Sequence, residues 1–81
     1  MQVSVQFFSY FKSMAGVERT SISLSQGSTL AGLVDHLCAR WPELAKMRKS
    51  MLVAVGVEYQ PPDYPLKDGD EVSLFPPVQG G

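Results

Sequence analysis

The sequence is poor in the residue types on which most enzyme sites and nucleic-acid surfaces depend. Its 81 residues include one cysteine and one histidine, and seven Lys and Arg are balanced by eight Asp and Glu, for a net charge of −1. A single cysteine excludes an internal disulfide and fits a reducing compartment. The lack of a basic excess argues against nucleic acid as a partner, because little positive charge is available to displace counterions from phosphates.

Long apolar segments are also absent. No run approaches the roughly 18 apolar residues of a membrane-spanning helix. The first residues, MQVSVQFFSYF, lack the basic start and small-residue cleavage site of a secretory signal. The length suits one domain, and the 44% hydrophobic and 19% charged fractions are typical of a folded globular chain. We therefore expect a cytoplasmic protein with no membrane partner.

Alternating apolar and polar residues predict several strands. The first, residues 2–8, places Val3, Val5 and Phe7 on one face. A short edge strand is expected just before Pro61 and Pro62, since proline cannot donate to a strand ladder. The strands predicted after the first are 19–24, 51–55, the short one at 58–60, and 71–75.

One long amphipathic helix is predicted between the second and third strands. Its apolar stripe comprises Leu30, Leu33, Val34, Leu37, Cys38 and Trp41. Ser28 or Thr29 supplies the N-cap, and Pro42 ends the helix. A shorter helical turn, SYFKSMAG, is expected to close at Gly16.

This element order favours an α+β fold, with a mixed sheet packed on one main helix. If the last strand lies parallel to the first in the sheet centre, the domain is a ubiquitin-like β-grasp. We assign residues 1–76 to this domain and residues 77–81 to a flexible, extended C-terminal tail. The residues predicted to form the core are Val3, Val5, Val72 and Leu74 of the strands and Leu30, Leu33, Val34, Leu37 and Cys38 of the helix.

The residues that could carry chemistry within the domain have simpler structural explanations. Cys38 lies on the apolar stripe, where a free cysteine is usually a buried and inert small hydrophobe. His36 lies on the polar face without a Cys or His partner at metal-ligand spacing, so no metal site is predicted. Asp68, Asp70 and Glu71 suit a solvated turn. We find no convincing active site in the domain.

The tail has a different character. Pro76 and Pro77 fix φ near about −65° and lack N–H groups, so the chain leaves the sheet on a stiff base. From Pro77 to Gly81 the tail spans roughly 16–18 Å when extended. Gly80 and Gly81 have no Cβ and can enter a narrow channel, leaving the carboxylate open to activation. A frayed terminus would need neither feature.

The ending DGDEVSLFPPVQGG resembles that of the small, sulfur-carrying subunits of molybdopterin synthase, which typically end D-G-D-E-V-x-x-F-P-P-V-x-G-G. The beginning, VQFFSYFKSMAG, is similar to the hydrophobic strand, short helix and glycine of the same family. Length and element order agree, so the resemblance covers essentially the whole chain. A bare Gly-Gly ending is shared with ubiquitin-like modifiers and the thiamine sulfur carrier, whereas FPPV before it is more specific.

The resemblance implies a mechanism in which the carrier binds no cofactor of its own. An E1-like enzyme uses ATP to adenylate Gly81, and a sulfurtransferase converts it to a thiocarboxylate. The tail, with Gly80, then enters the large subunit of a heterotetrameric molybdopterin synthase and donates sulfur to cyclic pyranopterin monophosphate, building the dithiolene. The catalytic lysines belong to the large subunit, so the chain is expected to be a non-catalytic sulfur donor.

The resemblance also implies a docking surface for the large subunit. The matching residues are Phe8, Lys12, Tyr59, Phe75, Pro76, Pro77 and Val78. Other functions remain open from the sequence: a protein modifier whose activated Gly81 is captured by a lysine amine, a sulfur carrier for another pathway, or an interaction domain with an inert tail.

Overall fold

A computed structural model describes residues 1–77, so the predicted site residues Val78, Gly80 and Gly81 lie outside the described residues. Five strands occur in this range: β1 (Gln2–Phe7), β2 (Arg19–Ser23), β3 (Leu52–Val55), β4 (Glu58–Tyr59) and β5 (Glu71–Phe75). The helices are α1 (Tyr10–Ala15), α2 (Leu30–Arg40) and α3 (Pro42–Ala45), followed by a 3₁₀ turn at Arg48–Ser50.

The strands form one mixed sheet in the order β2-β1-β5-β3-β4. β1 pairs antiparallel with β2 and parallel with β5, and Val5 lies opposite Val72 in the parallel pair. β3 is antiparallel to both β5 and β4. The prediction that the first and last strands are parallel neighbours is therefore confirmed, and with it the ubiquitin-like β-grasp.

Helix α2 covers one face of the sheet because its apolar residues recur at helical spacing. Leu30, Leu33, Val34 and Leu37 are buried, as are the inward residues of β1 and β5. Thr29 is the N-cap, and its hydroxyl accepts a hydrogen bond from the Gly32 amide. None of the helices in residues 1–77 is both long enough and apolar enough to cross a bilayer.

Local sequence signals explain the shorter elements. Gly16 ends α1 in the left-handed conformation, φ 75°, and donates its N–H to the Lys12 carbonyl, as the glycine position predicted. Pro42 follows the end of α2 and becomes the first residue of α3, where its missing N–H costs no helical hydrogen bond. The edge strand β4 has two residues, and the prolines at 61 and 62 follow it closely.

One burial prediction needs correction. Cys38 is half-buried rather than buried, because it lies at the margin of the α2 stripe and packs against the core from its side. The remaining predicted core residues are buried. The domain boundary at residue 76 stays a prediction, although β5 ends one residue earlier.

Candidate functional site

The candidate site lies where β5 ends, and the register shows which other residues lie there. β1 and β5 are parallel, so Phe7 and Leu74 finish side by side. β3 is antiparallel to β5, so its first residue, Leu52, lies opposite Phe75. We call this end of the sheet the tail end, because Pro76 and Pro77 continue the chain from it.

Three aromatic side chains gather on the outer face at the tail end, opposite α2. The rings of Phe8 and Phe75 are stacked, with centroids 4.5 Å apart and planes at 14°. Tyr59 meets Phe75 edge-on at 6.3 Å and 80°. Phe8 and Phe75 are half-buried, whereas Tyr59 is 64% exposed. We name this group, Phe8, Tyr59 and Phe75, the outer aromatic cluster.

A tight turn places Phe8 in the cluster. The Phe8 amide donates to the Leu74 carbonyl, and the Phe8 carbonyl accepts from the Phe11 amide at 3.2 Å. Between them Ser9 has φ 58° and ψ −138°, a conformation that non-glycine residues rarely adopt. The turn sends Phe11 into the core and leaves Phe8 on the outer face, stacked on Phe75.

The other predicted docking residues are placed as follows. Pro76 and Pro77 directly follow Phe75 and are half-buried. Lys12 is exposed on α1, and its ammonium lies 3.9 Å from the Glu18 carboxylate. Such an exposed pair contributes little stability, so Lys12 is free to exchange Glu18 for another anion. The structure thus brings together Phe8, Tyr59, Phe75 and the two prolines, whereas Lys12 contacts Glu18 instead of the cluster.

The acidic residues before β5 build a turn. The Gln2 amide donates to the Asp68 carboxylate at 2.7 Å, and the Lys67 amide donates to Asp70 at 2.8 Å. These hydrogen bonds give both carboxylates a role in stabilising the turn, which agrees with the turn predicted from the sequence. His36 is exposed on α2. Within residues 1–77, no three His, Cys, Asp or Glu side chains lie close enough together to hold a metal ion.

The thiol of Cys38 is not arranged as a nucleophile. Burial raises the pKa of the Cys38 thiol, the positive charge of Arg48 lowers it, and the negative charge of Asp35 raises it. The net direction is upward, which disfavours the reactive thiolate. Arg48 is itself ion-paired with Asp35 and hydrogen-bonded to the Ala31 carbonyl.

An apolar groove of about 180 Å³ opens between the start of α2 and the β3 edge of the sheet. It is lined by Leu30, Ala31, Val34, Arg48, Met51, Val53, Gln60 and Pro62. The charged group of Arg48 is engaged by Asp35, and the remaining lining is mostly apolar. The groove therefore offers no converging set of catalytic groups.

The stacking of Phe8 on Phe75 was not predicted, although the sequence contains a signal for it. Phe8 follows the inward Phe7, and Phe75 follows the inward Leu74, so strand alternation puts both on the outer face. Their proximity depends on the parallel register of β1 and β5, which pairs Phe7 with Leu74.

Comparison with known proteins places this geometry in a family. The model of the ThiS family matches residues 5–81. The chain is 35% identical to the molybdopterin synthase sulfur carrier subunit of Chlamydomonas reinhardtii, with all of both chains covered. It superposes with a TM-score of 0.89 on a putative molybdopterin converting factor subunit 1 from Pyrococcus furiosus, at 30% identity over 96% of this chain and 99% of that one.

A further solved structure contains a relative together with a partner. It is a protein–protein complex of subunits 1 and 2 of the molybdopterin-converting factor from Helicobacter pylori. The matched chain has a TM-score of 0.71 and 29% identity, and both chains are fully covered. Because the family model matches residues 5–81, nearly the whole chain, the chain belongs to the ThiS family.

Proposed function

We propose that this chain is the sulfur-carrier subunit of a molybdopterin synthase and that the carboxylate of Gly81 is its reacting group. An E1-like enzyme adenylates the carboxylate with ATP, releasing pyrophosphate. A sulfurtransferase then supplies sulfur at the oxidation level of sulfide, which displaces AMP and leaves a thiocarboxylate. In the large synthase subunit, the thiocarboxylate sulfur forms a bond to cyclic pyranopterin monophosphate, and water cleaves the bond between that sulfur and the acyl carbon, so that Gly81 returns to a carboxylate for another cycle.

The observation that carries the proposal is the family match, which includes the Gly80-Gly81 ending. Adenylation suits this ending because a free carboxylate is a poor electrophile and an acyl adenylate is an activated one. Glycine leaves the carbonyl accessible on both sides. Burial raises the pKa of the Cys38 thiol, which makes Cys38 a weaker competitor for this role.

The outer aromatic cluster supports a docking role for the tail end. Aromatic residues are enriched at the centres of protein interfaces, where truncating one often costs more than 1 kcal/mol. Tyr59 is 64% exposed beside the half-buried Phe8–Phe75 stack. A large subunit seated here would receive the tail directly, because Pro76 follows Phe75.

Reconstitution tests the proposal. The chain is incubated with an E1-like enzyme, ATP and a sulfur source, and its intact mass is then measured. We expect the mass increase that corresponds to replacing one oxygen by sulfur, located at Gly81 by fragmentation. Addition of large subunit and pterin substrate should discharge it and form the dithiolene. Isopeptide conjugates to lysine in place of the thiocarboxylate would indicate a protein modifier.

Phe75→Ala is expected to weaken binding to the large subunit by more than about 1 kcal/mol. The substitution removes the ring that contacts both Phe8 and Tyr59, so the whole outer aromatic cluster loses its centre. Titration calorimetry measures the affinity, and circular dichroism checks that the domain remains folded. Val57→Ala, which truncates a side chain that is 97% exposed, is the control. Equal affinity for Phe75→Ala and wild type would remove Phe75 from the interface.

Cys38→Ala is expected to leave sulfur transfer unchanged. The raised pKa keeps the Cys38 thiol protonated near neutral pH, so iodoacetamide should modify it more slowly in the folded chain than in the same chain in urea. The difference should shrink as the pH rises through the folded pKa, because the thiolate then forms in both states. Loss of sulfur transfer in Cys38→Ala would make the cysteine the carrier and contradict the role of Gly81.

A further inference from the structure

The charged side chains are sorted along the strand direction, although the net charge of the chain is only −1. We call the end opposite the tail end the acidic end; it holds the starts of β1 and β5. Five of the seven Lys and Arg residues lie at the tail end: Lys12, Arg19, Arg40, Lys46 and Lys49. The Arg48 side chain instead reaches the first half of α2, where it pairs with Asp35 and donates to the Ala31 carbonyl. Five of the eight Asp and Glu residues lie at the acidic end: Glu58, Asp63, Asp68, Asp70 and Glu71.

Strand register and packing place the basic residues. Arg19 lies opposite Gln6, near the end of β1. Arg40 is the last residue of α2, and the next residue, Trp41, packs against Phe7. The 3₁₀ turn at Arg48–Ser50 leads into Leu52, opposite Phe75.

The acidic residues are placed in the same way. Glu71 lies opposite Ser4 at the start of β5, and Asp68 accepts from the Gln2 amide. Glu58 lies opposite Val55, the last residue of β3. Asp63 belongs to the loop between β4 and β5. Backbone carbonyls of this loop accept hydrogen bonds from the first two amides of α2. The Met1 ammonium and Lys67 also lie at this end, too few to neutralise five carboxylates.

Pairing leaves part of the positive charge available. Lys12, Lys46 and Arg48 are paired with Glu18, Glu43 and Asp35. In the part of the chain that the structure describes, no carboxylate lies within 4.0 Å of the charged nitrogens of Arg19, Arg40 or Lys49. Arg40 instead lies 4.6 Å above the Trp41 ring. The tail end is therefore positive around the point from which the tail leaves.

We propose that the tail end docks on a protein whose tail-accepting cleft is rimmed by carboxylates, with the opposite charges of the two ends turning the carrier tail-first during approach. This inference rests on the proposed function, which requires the tail to enter a partner. A cleft of complementary charge can raise association rates 10- to 1,000-fold, and the effect falls steeply with ionic strength. Aromatic residues at the centre with charges around them also match the anatomy of protein interfaces.

A protein surface fits the arrangement better than a small anion does. The five cations at the tail end are exposed and come from α1, β2, α2, the segment after α3 and the 3₁₀ turn. They surround the end of the domain without converging on a pocket, whereas recognition of a phosphate or nucleotide needs donors that converge. An extended rim of carboxylates can meet Arg19, Arg40 and Lys49, which have no carboxylate partner among the described residues, at once.

Charge reversals at the two ends test the inference. Arg19→Glu and Lys49→Glu change the tail end, and Lys67→Glu makes the same change in net charge at the acidic end. Association with the large subunit is measured by stopped flow at low salt and at about 0.3 M salt. At the higher concentration the Debye length is roughly 6 Å, so charges farther apart than that hardly interact. We expect each tail-end reversal to slow association about 10-fold at low salt and much less at high salt. Lys67→Glu should change it less than twofold.

Each result has a distinct reading. Equal slowing by Lys67→Glu, or a wild-type rate that does not depend on salt, would overturn the inference while leaving the proposed function intact. Competition by inorganic phosphate or ATP at constant ionic strength would overturn it in favour of a small-anion site. Failure of wild type to bind the large subunit under any condition would instead overturn the proposed function.

A carboxymethyl cation exchanger at pH 7 and low salt offers a probe that is independent of the large subunit. We expect it to retain the wild-type chain despite the net charge of −1 and to retain the tail-end variants less than Lys67→Glu. Equal retention of all three variants would contradict a carboxylate-binding tail end.

Discussion

Gly81→Ala is expected to slow sulfur transfer on the order of 100-fold without changing the stability of the domain. The methyl group is added beside the reacting carbonyl, and a displacement of about 1 Å at such a position can cost about that factor in rate. The same carboxylate is handled twice in the proposed cycle, once for activation and once for delivery. Single-turnover formation of the thiocarboxylate and of the dithiolene measures the two steps separately.

One residue added after Gly81 should be more damaging than the alanine, because it moves the carboxylate past the groups that act on it. Both variants should unfold within about 0.5 kcal/mol of wild type, since the buried core residues all lie between Val3 and Leu74 and are unchanged. Gln79→Ala is a matched control in the same segment, and we expect it to retain most of the activity. Normal sulfur transfer by the extended chain would mean that Gly81 is not the reacting residue.

Leu37→Ala is expected to lower the free energy of unfolding by about 2–5 kcal/mol. Leu37 is 1% exposed and lies on the inner stripe of α2, the helix that covers the sheet. Alanine there leaves a cavity that its neighbours fill only in part. A domain of this size is stable by about 5–15 kcal/mol at most, so the loss is a large fraction of the total.

Urea unfolding, extrapolated linearly to water, measures the effect of Leu37→Ala. Val57→Ala is the control, because that side chain is 97% exposed and its truncation should cost less than about 0.5 kcal/mol. A loss below about 1 kcal/mol for Leu37→Ala would show that α2 contributes less to the core than its burial indicates.

Most of the fold was predictable from residue patterns because the domain is built from strongly periodic segments. The stripe from Leu30 to Leu37 has the helical period, and the inward residues of β1 and β5 alternate regularly. The partial burial of Cys38 was harder to predict, because periodicity locates the centre of an apolar stripe better than its margin. The residues between α2 and β3 have no extended periodic pattern, so periodicity alone does not predict helix α3 and the 3₁₀ turn that the structure has there.

The candidate site was only partly predictable, for a different reason. Phe8, Tyr59 and Phe75 came from the family resemblance, but their mutual contacts depend on how β1, β5 and the β3–β4 hairpin meet. The separation of charge is invisible in composition, since seven basic and eight acidic residues give almost no net charge. It emerges only when Arg19 is brought beside Gln6 and Glu71 beside Ser4.

The parallel pairing of β1 with β5 also constrains the order of folding. Val5 and Val72 are neighbours in the sheet but lie near opposite ends of the chain, so their contact closes a loop that contains almost the whole domain. Contacts of such long range slow the folding rate. During synthesis, β1 cannot pair with β5 until the ribosome has released the last strand. A chain that stops before residue 71 cannot complete the sheet, so an incomplete product cannot present a folded docking surface and compete with the finished carrier.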